Sequence, residues 1–285
     1  MNITYLVSIV LGVSLITLLV YFVIRQKKKI KRLQNEGLSL INRVKNLISN
    51  IQKHRGWSSA YARGDTSVLA NIQALQLEIE TITKGLESEN KIKSFDRWAG
   101  YVEHWGRLSK NVLSLSSDNS FKQHTQLIGN MLYLLEDVAE KHFLTVEALP
   151  NFPMVSLLWR ELLHVSECVG QSRALGTGVA TVKVCNRVEK IRLGFLRQKI
   201  TEMSEITYAQ LKEYNRDQSS AELNILIEKS SKQTRYLCSV IEHELVDCEQ
   251  IKLDAKNYFE LATQAMNALN EIFEMELKKI EQNFQ

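Results

Sequence analysis

Residues 52–65 read Gln-Lys-His-Arg-Gly-Trp-Ser-Ser-Ala-Tyr-Ala-Arg-Gly-Asp, and they close the first long helical pattern of the chain. Positions three, four or seven residues from Arg55 share its helical face. These positions are Ile48, Ile51, Gln52, Ser58, Ser59 and Ala62, with no carboxylate among them. Burying a guanidinium whose donors are unpaired is costly, so Arg55 requires either a partner from another helix or a bound anion.

The rest of the chain predicts an all-α protein. Its 285 residues include only two prolines and twelve glycines, and helix interiors exclude proline. Apolar residues recur at spacings of three and four in eight segments, which is the helical period. The predicted helices span 33–62, 68–86, 95–115, 121–149, 154–180, 182–214, 217–245 and 250–281.

Both prolines lie in one short stretch, Pro150-Asn151-Phe152-Pro153, which predicts a boundary between two halves. Four helices precede the boundary and four follow it. We therefore predict two antiparallel four-helix bundles, the first at 35–149 and the second at 154–283.

The chain begins with an uncharged run of 22 residues at 3–24. A helix of that length covers a hydrocarbon core of about 30 Å. The pattern predicts one N-terminal transmembrane helix, with residues 1–24 as an anchor that holds the protein to the membrane. Six basic residues follow within eight positions, in a juxtamembrane segment at 25–34.

This charge asymmetry predicts a single-pass protein of the inner (cytoplasmic) membrane, with its N-terminus outside and its helical domain in the cytoplasm. An extracytoplasmic domain is the alternative. Subtracting the six basic residues from the net charge of +4 leaves about −2 for residues 33–285, which argues against nucleic acid as a partner. The spacing of the four cysteines matches no zinc site or redox pair, so they are expected to be reduced thiols.

A second arginine repeats the chemistry of the first. Residues 171–178 read Gln-Ser-Arg-Ala-Leu-Gly-Thr-Gly, and Arg173 again has small neighbours and no carboxylate on its helical face. Arg235, by contrast, has Glu228 and Glu242 seven residues to either side. The pattern indicates an internal repeat of about 118 residues, the separation of Arg55 from Arg173.

These two stretches resemble the nitrate- and nitrite-sensing (NIT) domain family, over residues 35–283. The resemblance implies two four-helix bundles that hold a small anion, nitrate or nitrite, between arginines of facing helices. It places Arg55, together with His54, and Arg173 against the ligand. With their neighbours, the predicted ligand-binding residues are Arg55, Arg173, His54, Ser58, Ser59, Thr177 and Gln264.

The chain departs from the family pattern in its last helix. The family usually has an arginine there, whereas residues 262–267 read Ala-Thr-Gln-Ala-Met-Asn. Thr263, Gln264 and Asn267 offer neutral hydrogen bonds in its place. The departure puts the identity of the anion, or its affinity, in question.

Planar nitrate and nitrite suit the flat fork of a guanidinium. Two guanidiniums repel by roughly 4 kcal/mol at 4 Å with an effective dielectric near 20, and an anion between them reverses the sign. Anion binding is therefore expected to move the first and fifth helices relative to each other. The signal would leave through an unknown downstream signalling protein, and homodimerisation is left open.

Other interpretations stay open at this stage. Each arginine could instead pair with a carboxylate such as Glu78, Glu136 or Glu161 as a structural ion pair. The protein would then be a membrane-tethered helical scaffold for protein–protein interaction. The sequence contains no nucleophile elbow, phosphate loop, metal-ligand spacing or paired catalytic carboxylates, so we expect neither an enzyme nor a cofactor.

Overall fold

The computed structural model describes the backbone of residues 3–284 and the side chains of residues 11–216 and 219–284. The first four helices are α1 (Ile3–Tyr61), α2 (Leu69–Ser88), α3 (Asp96–Asn111) and α4 (Ser117–Lys141). Helix α5 runs from Val155–Leu157 through a π-helical segment, Leu158–Leu162, into Leu163–Val182. It is followed by α6 (Arg187–Gln218), by α7 (Ala221–Val240, continued by the π-helical Ile241–Val246) and by α8 (Ala255–Phe284).

The described backbone contains no β-strand, so the prediction of an all-α protein is confirmed. Helix α1 packs against α2 and α4, and α3 packs on α4. In the second half, α5 packs against α6 and α8, and α7 packs against the same two helices. Contacts of α1 with α5 and α8, and of α4 with α5, join the halves around one continuous core.

Helix α1 ends at Tyr61, close to the predicted end of the first helix at residue 62, and the chain turns at Gly64 and Asp65. Gly64 has a φ of +103°, a conformation that side chains with a Cβ rarely adopt. The carboxylate of Asp65 then accepts from the backbone N–H of Ser67 and caps the short 3₁₀ helix Thr66–Val68. The chain therefore reverses into α2 within a few residues.

Helix α4 ends eight residues earlier than the predicted helix, which extended to residue 149. Phe143 adopts the left-handed conformation with a φ of 56°. The N–H of Leu144 donates to the carbonyl of Ala139, and that of Phe143 donates to the carbonyl of Glu140. This is a Schellman cap, which usually places glycine where this chain has phenylalanine, so the sequence does not signal it.

The predicted transmembrane helix is corrected by the structure. No helix in the described part of the chain is long and apolar enough to cross a membrane. The side chains of residues 1–10 of the predicted anchor lie outside the described residues.

The contact between α1 and the end of α4 depends on a glycine. A Cβ on Gly37 would lie 2.4 Å from the Cβ of His142, so the two helices meet where Gly37 has no side chain. We expect Gly37→Ala to lower the free energy of unfolding by about 1–3 kcal/mol through overpacking, measured by urea denaturation.

Gly106, in α3, is the matched control because a Cβ there would meet nothing within 4 Å. Gly106→Ala should raise the free energy of unfolding by about 0.5–1 kcal/mol through helix propensity alone. If both substitutions stabilise the protein, the close contact between Gly37 of α1 and His142 is not required by the fold.

Candidate anion-binding site

Arg55 is completely buried and bound to a carboxylate. Its Nη1 lies 2.5 Å from Oε1 of Glu167, and its Nη2 lies 3.2 Å from Oε2. Glu167 lies on α5 and is itself buried. The partner of Arg55 is therefore a structural carboxylate, as the alternative interpretation required, although it is not Glu78, Glu136 or Glu161. A ligand-binding role for Arg55 stays a prediction, and this guanidinium already has its counter-charge.

Two side-chain amides also donate hydrogen bonds to the Glu167 carboxylate. The side-chain amides of Gln52 on α1 and Gln171 on α5 donate to it at 2.8 and 3.0 Å. Arg55 also donates to the Thr125 hydroxyl at 3.3 Å. A buried ion pair requires such hydrogen bonds to offset the desolvation of its charges. This network fixes α1 to α5 in the interior.

Several of the small residues near Arg173 in the sequence are glycines of α5, and large side chains from other parts of the chain pack against them. A Cβ on Gly170 would lie 3.0 Å from Nη2 of Arg55, and one on Gly178 would overlap the guanidinium of Arg63. A Cβ on Gly176 would overlap the ring of Tyr258, whose hydroxyl donates to the carbonyl of Ser172 at 3.0 Å. Each glycine therefore admits one large side chain against the backbone of α5.

His54 belongs to a different network, inside the first group of helices. Its Nδ1 lies 2.8 Å from Nε2 of His124, whose Nδ1 lies 2.7 Å from the carbonyl of Ser120. A carbonyl only accepts, so His124 carries its proton on Nδ1 and accepts from Nδ1–H of His54. Gln76 donates to the remaining nitrogen of His54 at 3.3 Å.

Burial lowers the pKa of His54 to about 4, and burial followed by repulsion from His54 lowers the pKa of His124. Both rings are therefore neutral near pH 7. The Ser58 hydroxyl lies 3.4 Å from Nδ1 of His54, within the same interior. Their predicted ligand-binding roles stay predictions, and neither residue lines the cavity described below.

Arg173 has a different environment from Arg55. It is half-buried on α5, donates to the Thr263 hydroxyl at 3.0 Å, and lies 4.9 Å from the centre of the Phe259 ring. It forms no ion pair within 4.0 Å with any carboxylate of the described residues. Burial, and then the nearby charge of Arg55, lower the pKa of Arg173 to about 10, so the group stays charged at pH 7.

A cavity of about 530 Å³ opens beside Arg173, between α1, α5 and α8. Ser59 and Thr177, both predicted ligand-binding residues, line it. The Thr177 hydroxyl is buried and has no hydrogen-bond partner among the described residues. Gln264 is exposed and does not line the cavity, whereas its neighbour Thr263 does.

The charges around the cavity are mainly positive. Lys53, Arg63 and Arg173 line it, against a single carboxylate, Asp65. Arg63 is half-buried, and burial lowers its pKa while the charges of Glu189 and Asp118 oppose that shift. The sequence reasoning did not identify Lys53 and Arg63. Their position in the sequence could have indicated them, since both lie in the 52–65 stretch together with Arg55.

The Arg55–Glu167 pair should dominate the contact between the two halves. We expect Glu167→Gln to lower the free energy of unfolding by about 3–5 kcal/mol, because it leaves the buried Arg55 charge uncompensated. The measurement is the shift of the urea unfolding midpoint.

The exposed pair of Arg97 and Asp137, 2.8 Å apart, is the matched control. Asp137→Asn should cost no more than about 1 kcal/mol, because solvent screens an exposed pair. Equal losses for the two variants would contradict a dominant role of the buried pair.

The buried histidines should make stability depend on pH. An unfolded histidine titrates near pH 6.5 and His54 in the fold near pH 4, so the unfolded state binds more protons between these values. The stability contributed by neutral His54 is complete above about pH 6.5 and is lost as the pH falls toward 4.

We expect His54→Gln to reduce the slope of unfolding free energy against pH in this window by up to about 1.4 kcal/mol per pH unit. His243→Gln is the control, since His243 is exposed on the π-helical end of α7. Denaturant unfolding at a series of pH values measures both slopes. A slope unchanged by His54→Gln would show that this ring does not titrate as its burial implies.

Comparisons with protein-family models, with curated proteins and with solved structures give no match to the chain. The resemblance to the NIT family therefore stays a proposal, and the geometry of the Arg173 cavity carries the functional argument.

Proposed function

We propose that the chain is a helical sensor module that binds a small anion at Arg173, in the cavity between α1, α5 and α8. The observation that carries this proposal is the contrast between the two arginines. Arg55 has a buried carboxylate at 2.5 Å, whereas the described partners of Arg173 are neutral, namely the Thr263 hydroxyl and the Phe259 ring. A partly desolvated guanidinium without a counter-charge is stabilised by an anion that reaches it.

Nitrate and nitrite are the proposed anions, as the NIT resemblance implies. Their oxygens lie in one plane, which suits the bidentate fork of a guanidinium. The Thr263 hydroxyl already accepts from Nη1 of Arg173. It lies in the 262–267 stretch, where the family pattern has an arginine that this chain lacks. An anion in this cavity would therefore meet one inner guanidinium and the hydroxyls around it.

Signalling is proposed to follow from the distribution of charge between helices. Lys53 lies near the end of α1, Arg63 lies in the turn that follows α1, and Arg173 belongs to α5. Cations on facing helices repel, and an anion between them attracts both. Binding would draw this end of α1 toward α5, while the Arg55–Glu167 pair holds the two helices together nearby. The movement would reach an unidentified downstream signalling protein or a second copy of the chain.

The test is the thermal unfolding of the full chain with nitrate, nitrite, chloride and acetate at constant ionic strength. An anion at 100 times its dissociation constant should stabilise the fold by about 2.7 kcal/mol. Arg173→Gln should abolish that stabilisation, because it removes the charge and keeps a polar side chain.

Arg235→Gln is the matched control, because Arg235 is exposed on α7 and does not line the cavity. It should respond to anions as the wild type does. Stabilisation that persists in Arg173→Gln would rule out Arg173 as the anion site.

The second candidate function is a helical scaffold for protein–protein interaction. Val188, Ile191 and Phe195 of α6 are spaced by three and four residues and are 54–65% exposed. They form an apolar stripe on one helical face, the feature that such a scaffold would use. If no small anion stabilises the wild type, the scaffold becomes the better supported function.

A further inference from the structure

The cavity beside Arg173 is much larger than a nitrate ion. Its volume is about 530 Å³. A water molecule occupies about 30 Å³ in the liquid. At that volume for each non-hydrogen atom, the cavity has room for roughly ten or more such atoms. Volumes in this range are typical of sites for organic ligands. A four-atom anion bound at Arg173 would leave most of the cavity without contacts.

The space is open because the facing side chains are small. A Cβ on Gly56 of α1 would meet nothing within 4 Å, so the backbone itself borders the cavity there. Ala60 of α1 and Ala174 of α5 line the same space. Larger residues at these positions would have filled part of the cavity, so its size depends on the small side chains of both helices.

Two aromatic side chains line the cavity and remain partly uncovered. Trp57 is 37% exposed and Phe259 is 36% exposed. Aromatic rings supply large apolar surfaces that favour other flat, apolar groups. The cavity therefore combines one charged position, at Arg173, with walls suited to an apolar body.

The balance of charge indicates one negative charge on the ligand. Lys53 is exposed to solvent, and Arg63 lies near two carboxylates, those of Glu189 and Asp118. Near Arg173 the positive charge of Arg55 and the negative charge of Glu167 oppose each other, which leaves the charge of Arg173 itself without a counter-charge. Thr177 lies four residues after Arg173 and therefore on the same face of α5. Its buried, unpartnered hydroxyl is a second donor that an anionic group could use.

We infer that the cavity binds a monocarboxylate with an aromatic body, its carboxylate at Arg173 and Thr177 and its ring against Trp57 and Phe259. A carboxylate offers two coplanar oxygens, which match the guanidinium fork. This inference rests on the proposed function, because both place the anion at Arg173. It differs in assigning most of the binding free energy to the apolar body.

The probe is 3-phenylpropionate, titrated calorimetrically into the full chain. Its comparison compounds are acetate, nitrate and the neutral 3-phenylpropionamide. We expect 3-phenylpropionate to bind at least about tenfold more tightly than acetate, because its ring buries apolar surface. The amide should bind at least about tenfold more weakly than the acid, since it has no charge for Arg173.

Two variants test separately the contribution of the Arg173 charge and that of the cavity volume to binding of 3-phenylpropionate. Arg173→Gln should weaken 3-phenylpropionate by at least about tenfold, through loss of a charge-assisted hydrogen bond. Gly56→Met should fill the open space beside α1 and weaken 3-phenylpropionate to a similar extent, with nitrate changed by less than about threefold. Gly106→Met is the matched control, because Gly106 also borders open space but lies in α3, outside the cavity.

The outcomes distinguish the inference from the proposed function. If nitrate binds through Arg173 and 3-phenylpropionate binds no better than acetate, the aromatic carboxylate is overturned and the anion site stands. If 3-phenylpropionate binds equally well to Gly56→Met and the wild type, the assignment of its ring to this cavity is overturned. If no anion binds in an Arg173-dependent way, both proposals fail.

Discussion

The buried contact between Arg55 and Glu167 joins residues 112 positions apart in the chain and fixes α1 against α5. Removing either partner would leave a charge in the interior, so the two helices are constrained to keep this geometry. The amides of Gln52 and Gln171 and the missing side chain of Gly170 make that geometry possible, because they supply hydrogen bonds and space. The cavity beside Arg173 lies between helices that this pair holds together.

The two arginine stretches share a sequence character and have different surroundings. Arg55 is enclosed by α4 and α5, so desolvation requires a carboxylate, and Glu167 supplies it. Arg173 lies where α1 presents Gly56 and Ala60, so the helices leave a cavity instead of a contact. The same residue type therefore gives a structural ion pair in one half and a candidate binding group in the other. An anion held between both arginines, as the sequence predicted, stays a prediction.

Local chemistry made much of the fold predictable. The break at Gly64 and Asp65 uses a glycine with positive φ and a carboxylate cap, both of which have clear sequence signals. The end of α4 was missed because Phe143 occupies a position that usually holds glycine. Its left-handed conformation is stabilised by Leu144, which is fully buried, and by the side chain of Gln34, which donates to the Phe143 carbonyl. Such support comes from distant residues, so local propensity does not reveal it.

By itself, the sequence determined the helical class, the approximate position of the eight helices, and the two arginines that need partners. These features follow from the helical period, from the scarcity of proline and from the cost of burying an unpaired charge, all of which are local properties. Only the tertiary structure decided that Glu167 neutralises Arg55, that His54 pairs with His124, and that Arg173 borders a cavity. Each of these depends on which helix lies opposite, and contacts between residues 70 and 112 positions apart set that arrangement.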